Sequence, residues 1–250
     1  MAQALGVRFL DSNGMELPFG GAAAVRLARI DMSGLRLGVM EAKITAATDV
    51  TNPLCGPKGA SAIFGPQKGA TSKMVQELDL AMDHLAQTIK RSLGLDLRDS
   101  PRGGAAGGLA AGLVAFASAE VVSGIDLVCD VLTFDQHLVG ADLVFTAEGR
   151  LDSSTAYDKA PVGVARRAKA RGIPVIAMAG SLGPGYEEVY RCGIDAVIPI
   201  LERPMTFEDS LARTSELLIS ATERTMRVLS IGPRLPIVAG SPRAEFRSPG

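Results

Sequence analysis

The sequence predicts an α/β protein whose second half is a parallel sheet, and three observations predict it. From Asp142 onward short apolar strands alternate with helical segments, an amphipathic helix spans residues 71–93, and two glycine-rich stretches, 49–69 and 102–113, punctuate the first half. Strand–helix alternation implies right-handed crossovers and a parallel sheet covered on both faces. The change of pattern near residue 140 divides the chain into two domains, a glycine-rich α/β domain over 1–140 and a sheet domain over 141–232. The tail, 233–250, carries four prolines and no periodic apolar face, which predicts disorder.

In chain order, residues 1–6 read as the last turn of a helix closed by Gly6, and 7–10 as a strand. The stretch 49–69 is a shaped loop. Asn52-Pro53, Gly56-Pro57 and Gly65-Pro66 fix or free its backbone, and it presents Lys58 and Lys68 with backbone N–H groups suited to an anion. An ordinary long connection with solvated lysines is the alternative. Met74, Leu78, Met82 or Ala81, Leu85, Ile89 and Leu93 recur at spacings of three and four, so 71–93 is helical with these side chains in the core, capped by Thr71 or Ser72 and closed by Gly94. Residues 102–113 run into an apolar helix ending near Ala119; tight helix packing or a ligand against a glycine-rich helix start would each explain the small residues.

Residues 142–146 form a strand, 160–171 a helix closed by Gly172, and 174–179 a second strand. A short helix at 186–191 and a third strand at 195–200 follow. Thr206 caps a long helix with Phe207, Leu211, Leu218 and Leu229 on its buried side. Ligands of such sheets bind beyond the carboxyl ends of the strands. Two loops are expected there, 147–155 and 180–185.

Composition narrows the function. A chain of 250 residues, 47% hydrophobic and 21% charged, buries a sizeable core, and a net charge of −1 supplies no field for nucleic acid or an anionic membrane. Trp is absent, which argues against base stacking. Cys55, Cys129 and Cys192 are odd in number and widely spaced, so a reducing cytoplasm fits and a disulfide framework does not. His84 and His137 are too few and too distant for a zinc cluster. There is no signal-peptide pattern and no apolar run of spanning length.

The strongest chemical constellation is Glu148, Arg150, Asp152 and Lys159, two carboxylates and two cations within twelve residues of a strand end. Phosphoryl transfer uses that mixture, with carboxylates to hold Mg²⁺ or take a hydroxyl proton and cations to neutralise the moving phosphoryl group. An exposed salt-bridge loop is the alternative. No Walker A pattern, G-x-G-x-x-G or G-x-S-x-G elbow follows any strand, which sets aside the P-loop, dinucleotide-binding and hydrolase readings.

These stretches resemble the glycerate kinase type 1 family. The likeness is carried by Asp49-Val-Thr-Asn-Pro-Leu-Cys-Gly-Pro-Lys-Gly, Phe64-Gly-Pro-Gln-Lys-Gly-Ala, Ala105-Ala-Gly-Gly-Leu-Ala-Ala-Gly, Glu148-Gly-Arg-Leu-Asp152, Lys159-Ala-Pro161 and Ala179-Gly-Ser181, in the family's order over roughly residues 1–232. The resemblance implies ATP-dependent phosphorylation of D-glycerate, written as a 2-kinase, in the cleft of a two-domain protein. Residues from 142 would then be the returning half of an incomplete Rossmann-like domain, and 1–140 the second, inserted domain. It implies ATP and Mg²⁺ as cofactors, Glu148 and Asp152 as catalytic carboxylates with Asp152 on the Mg²⁺, and Asp49, Asn52, Lys68, Arg150, Lys159 and Ser181 binding substrate or phosphate. Ala147 and Asp158 stand where the family tends to carry glycine, so positive φ values or close ligand approach would be lost there. The family's chains open with a further segment, and this sequence is expected to lack it. An incomplete sheet is expected to leave an apolar surface that drives self-association, and a truncated non-catalytic fragment, or a ligand-binding chain that needs a separate N-terminal segment for activity, is the alternative function.

Overall fold

A computed structural model describes residues 1–156 and 159–231. The expected tail at 233–250 and Asp158 lie outside the described residues. A 3₁₀ turn over Ala2–Leu5 ends at Gly6 with φ of 102°. Strand β1 (Arg8–Leu10) then pairs antiparallel with β2 (Arg29–Asp31). After the short α1 (Leu37–Glu41), β3 (Thr45–Thr48) leads into the proline-rich loop and α2 (Ala60–Phe64).

Helix α3 (Ser72–Leu93) follows its sequence pattern closely. The Thr71 hydroxyl accepts from the Met74 N–H at 3.3 Å, and Gly94 closes the helix in the left-handed region at φ 72°. Ala81, Ala86 and Ile89 are buried and Met82, Leu85 and Leu93 pack on the core they form, whereas Met74 is half exposed in the first turn. Cross-packing α4 (Ala105–Ala117) brings Phe116 edge-on to Phe9, with ring centroids 5.4 Å apart.

The glycine-rich start of α4 is not helical. Ala106, Gly107 and Gly108 are all left-handed, with φ of 51°, 71° and 91°, so the regular helix follows them. Two close approaches explain the glycines: a Cβ on Gly104 would lie 2.2 Å from the Pro53 carbonyl oxygen, and one on Gly108 would lie 2.7 Å from Leu54 Cδ1. This segment therefore docks backbone to backbone on the loop after β3, with Gly104 N–H donating to the Asn52 carbonyl at 3.0 Å.

Strand β4 (Glu120–Ser123) pairs parallel with β3, Thr48 opposite Ser123, and feeds α5 (Gly124–Val131) and the single turn α6 (Phe134–His137). The remaining strands make one parallel sheet in the order β5–β6–β7: β5 (Val144–Leu151), β6 (Val175–Leu182) and β7 (Ala196–Pro199). Helix α7 (Ala160–Lys169) covers one face, where Val175, Ala177, Ala179, Val162 and Ala165 are buried together. Helices α8 (Phe207–Ala212) and α9 (Thr214–Ile231) follow, and α9 covers part of the other face through Leu217 and Ala221 on Met178 and Ile200.

Three expectations are corrected. Strands β5 and β6 run on to Leu151 and Leu182, so Glu148, Arg150 and Ser181 are strand residues, not loop residues. Glycine permits the extension: a Cβ on Gly180 would come within 2.6 Å of the Gly149 carbonyl oxygen, so Gly180 lets the strands close up where polar residues suggested a turn. Ala147 sits in extended strand opposite Met178, so no positive φ is demanded of it. The helix after Thr206 breaks at Arg213, and Phe207, Leu211 and Leu229 are exposed at 72%, 60% and 41%, with Leu218 also exposed. The buried side of α9 is instead Leu217, Ala221 and Thr225, because α9 packs on Met178 of β6 and Ile200 after β7, while Phe145 of β5 stays exposed. Among the described residues no helix is long and apolar enough to cross a membrane.

Candidate active site

Two clusters of expected site residues lie at strand ends. At the carboxyl end of β3 is a cavity of about 360 Å³ lined by Thr48, Asp49, Gln67, Lys68, Ala106 and Gly107, among others. Its walls are largely apolar, and it offers one carboxylate, one ammonium and one amide. That scale and lining suit a small ligand with few polar groups. The left-handed turn at Ala106–Gly107 forms one wall, so the glycine-rich segment serves both packing and cavity.

Asn52 does not line this cavity. Its amide donates to the Lys58 carbonyl at 2.8 Å and fixes the loop from within. The loop is also held by Asp79 of α3, whose carboxylate accepts from the Gly56 N–H at 3.0 Å, a contact across 23 residues that no local pattern signals. Beside it the Cys55 thiol is buried; desolvation and the charge of Asp79 push its pKa up to about 12, so it is an unreactive core residue.

The second cluster occupies the carboxyl ends of β5 and β6. Glu148 and Arg150 are two residues apart on β5, and Leu151 between Arg150 and Asp152 is buried in the core beneath α7. Lys159, the residue before α7, places its ammonium 3.4 Å from Glu148 Oε1, and Arg150 Nε lies 3.4 Å from Asp152 Oδ2. Ser181 is the register partner of Arg150 on β6. Asp152 Oδ1 accepts from the Ser154 N–H at 2.9 Å and the Ser154 hydroxyl at 2.5 Å. Those hydrogen bonds, with Lys159 and Arg150 nearby, hold its carboxyl below the usual carboxylate range.

Thr155 ties the two acids together. Its fully buried hydroxyl accepts from the Asp152 N–H at 3.2 Å and donates to Glu148 Oε2 at 3.3 Å. A threonine in a serine-rich turn carries no sequence signal for that role. The loop 180–185 closes over the turn, with Gly183 N–H donating to the Leu151 carbonyl at 2.7 Å and Ser153 N–H to the Pro184 carbonyl at 3.1 Å.

Each cation is balanced by an acid, yet the side chains of Glu148 and Asp152 stay about a quarter exposed and that of Arg150 60%. The carboxylates can accept a proton or a cation, and the guanidinium and ammonium can turn to an anion. No group of three or more acidic, histidine or cysteine residues that could cage a metal occurs among the described residues. Glu148 and Asp152 supply carboxylate oxygens of the kind that Mg²⁺ takes, one or two at a time, beside water and phosphate oxygens.

Residues 1–230 match the glycerate kinase family. The chain is 46% identical to a glycerate kinase of Halalkalibacterium halodurans over 92% of its own length and 60% of that protein's. It is 44% identical to a glycerate 2-kinase of Escherichia coli over 94% of its length and 61% of that protein's. A crystal structure described as a glycerate kinase 2 of Salmonella typhimurium superposes with a TM-score of 0.72 at 44% identity, covering 94% of this chain and 61% of that one. The chain thus spans about three-fifths of the length of these relatives. A match over nearly the whole chain, in sequence and in fold, means that the chain belongs to the glycerate kinase family.

Proposed function

We propose that the chain serves ATP-dependent phosphorylation of D-glycerate to 2-phosphoglycerate, a cytoplasmic step of organic acid metabolism. The observation that carries this reading is the pairing of two carboxylates with two cations at the carboxyl end of a parallel sheet, in a chain of this family. In the transfer, a bond forms between the glycerate hydroxyl oxygen and the γ-phosphorus of ATP, the bond from that phosphorus to ADP breaks, and the hydroxyl proton passes to a carboxylate. Asp152 or Glu148 takes that proton. Lys68, Arg150 and Lys159 neutralise the phosphate or the glycerate carboxylate, Asp49 orients a hydroxyl, Asn52 shapes the loop that presents Asp49, and Ser181 donates beside Arg150. Mg²⁺ held by Asp152 with Glu148 would supply charge neutralisation on the phosphate oxygens. The arrangement proposed is a Rossmann-like domain over 141–232 beside a second domain over 1–140, the substrates meeting between them.

The test is a coupled ADP-release assay with ATP, Mg²⁺ and D-glycerate, run on the chain alone and with the part of a relative outside the matched span. Glycerate-dependent turnover by the chain alone supports the reading; ADP release indifferent to glycerate in both arms refutes it. A second reading, a ligand-binding chain that turns over only with a further polypeptide, is favoured by the exposed Phe145, Val228 and Leu229, with Phe145 opposite Ile176 of the hollow that Val228 and Leu229 line. Turnover confined to the supplemented arm would select it.

A further inference from the structure

Helix α5 touches the supports of both clusters. At its start a Cβ on Gly124 would lie 3.7 Å from the Thr48 carbonyl, one residue before Asp49, and Ser123 caps it by accepting from the Asp126 N–H at 3.4 Å. Along its side it meets α7 at very short range. A Cβ on Gly163 of α7 would come within 2.4 Å of Ile125 Cγ2, so only glycine fits there. Arg167 of α7 reaches across with its side chain 15% exposed, 2.7 Å from Asp130, 2.7 Å from Asp135 and 3.3 Å from Asp126, and donates to the Asp126 carbonyl at 3.2 Å. Arg166 pairs with Asp126 at 2.7 Å and Arg171 with Asp135 at 3.6 Å on either side.

We propose that Arg167, with the Gly163–Ile125 contact, is a positioning residue that clamps α5 to α7 and so fixes the Asp49–Lys68 cavity relative to the Glu148–Lys159 and Arg150–Asp152 pairs. An isolated surface ion pair contributes little, but a planar guanidinium engaged by three carboxylates and a carbonyl has one geometry. The carboxylates hold its pKa above the ordinary arginine value, so the clamp carries its charge at every working pH. Because α7 begins next to Lys159 and α5 begins against Thr48, rotation at this contact moves the two clusters apart. The inference rests on the reading that both clusters act on one pair of substrates, since a misplacement of about 1 Å can cost roughly 100-fold in rate.

The test compares Arg167→Ala, Arg167→Lys, Gly163→Ala and the double variant Gly163→Ala with Ile125→Ala. Spin labels are placed at Lys73→Cys on α3 and Glu223→Cys on α9, both exposed, in a Cys192→Ser background where Cys55 and Cys129 are buried. The wild type is expected to show one narrow label distance. Arg167→Ala and Gly163→Ala should broaden or shift it, Arg167→Lys should broaden it less, and Ile125→Ala should restore it in the Gly163→Ala chain. Kinetically, kcat should fall about 10- to 100-fold with the KM values for ATP and D-glycerate within about twofold, because each cluster stays intact. Arg167→Lys covers the case in which Arg167→Ala does not fold. Unchanged distances in Arg167→Lys and Gly163→Ala overturn the proposal. Absence of turnover in the wild type would count against the kinase reading alone, since the label distances judge the clamp without it.

Discussion

Replacing Gly183 by alanine tests whether the Arg150–Asp152 geometry matters, because the glycine has no conformational reason to be there beyond space. Its φ is not in the left-handed region, yet an added methyl would lie 2.7 Å from Arg150 Nη2, 2.8 Å from Nε and 2.9 Å from Asp152 Cβ. Against a minimum contact of about 3.5 Å these are short by roughly 0.6–0.8 Å. Arg150 is largely exposed and can swing into water at little cost, whereas Asp152 Cβ is fixed by the turn and must carry the backbone with it. Overpacking of this kind costs about 1–2 kcal/mol, or a fall of roughly 2–8 °C in Tm for a chain of this size. The same displacement parts the guanidinium from the carboxylate. Loss of roughly 1.4–2.8 kcal/mol of transition-state stabilisation would lower kcat/KM about 10- to 100-fold. Thermal unfolding followed by circular dichroism, with glycerate-dependent ADP release, measures both. A variant with wild-type Tm and wild-type kcat/KM would refute the reasoning.

Four further outcomes are expected. Asp152→Asn should lower kcat by about 100- to 10,000-fold with little change in KM, as loss of a proton acceptor does. The folded pKa of Asp152 is depressed, so its contribution to stability is complete above the unfolded value near 3.9 and lost as pH falls through the lower folded value; acid unfolding of Asp152→Asn below about pH 4 should show a smaller loss than wild type. Lys68→Ala should raise KM for the anionic substrate, most at low ionic strength, and steady-state kinetics at two salt concentrations will read it. The open apolar face around Phe145, Val228 and Leu229 should drive self-association that Leu229→Ser weakens in sedimentation velocity; a monodisperse monomer in the wild type would contradict this.

Helix α3 and the strand–helix alternation from residue 142 onward were legible because they are written locally, whereas β2, β3, β4 and α5 were not read from the sequence. The three-and-four spacing of α3, its Thr71 cap and Gly94 stop, and the apolar runs of β5, β6 and β7 each act within a few residues. What failed was decided by contacts distant in sequence. Glu148 and Arg150 read as a polar loop, but the Gly149–Gly180 approach keeps them in the sheet. The buried side of α9 depends on which strands lie beneath it, which no helical period reveals. At the site, charged residues near a strand end were visible, while Thr155 between the acids and Asp79 beneath the loop act through the folded geometry alone. The glycine-rich stretch 102–113 was legible as a site of tight packing or of a ligand, but not that Ala106 and Gly107 serve the cavity while Gly108 serves the packing.

The most direct test of the account is ³¹P NMR of a reaction containing ATP, Mg²⁺ and D-glycerate, with the chain alone and with the part of a relative outside the matched span. A new phosphomonoester resonance is expected at the chemical shift of 2-phosphoglycerate, growing as γ-phosphate is lost and growing at least about 100-fold more slowly with Asp152→Asn. Inorganic phosphate as the only new signal in both arms would contradict it.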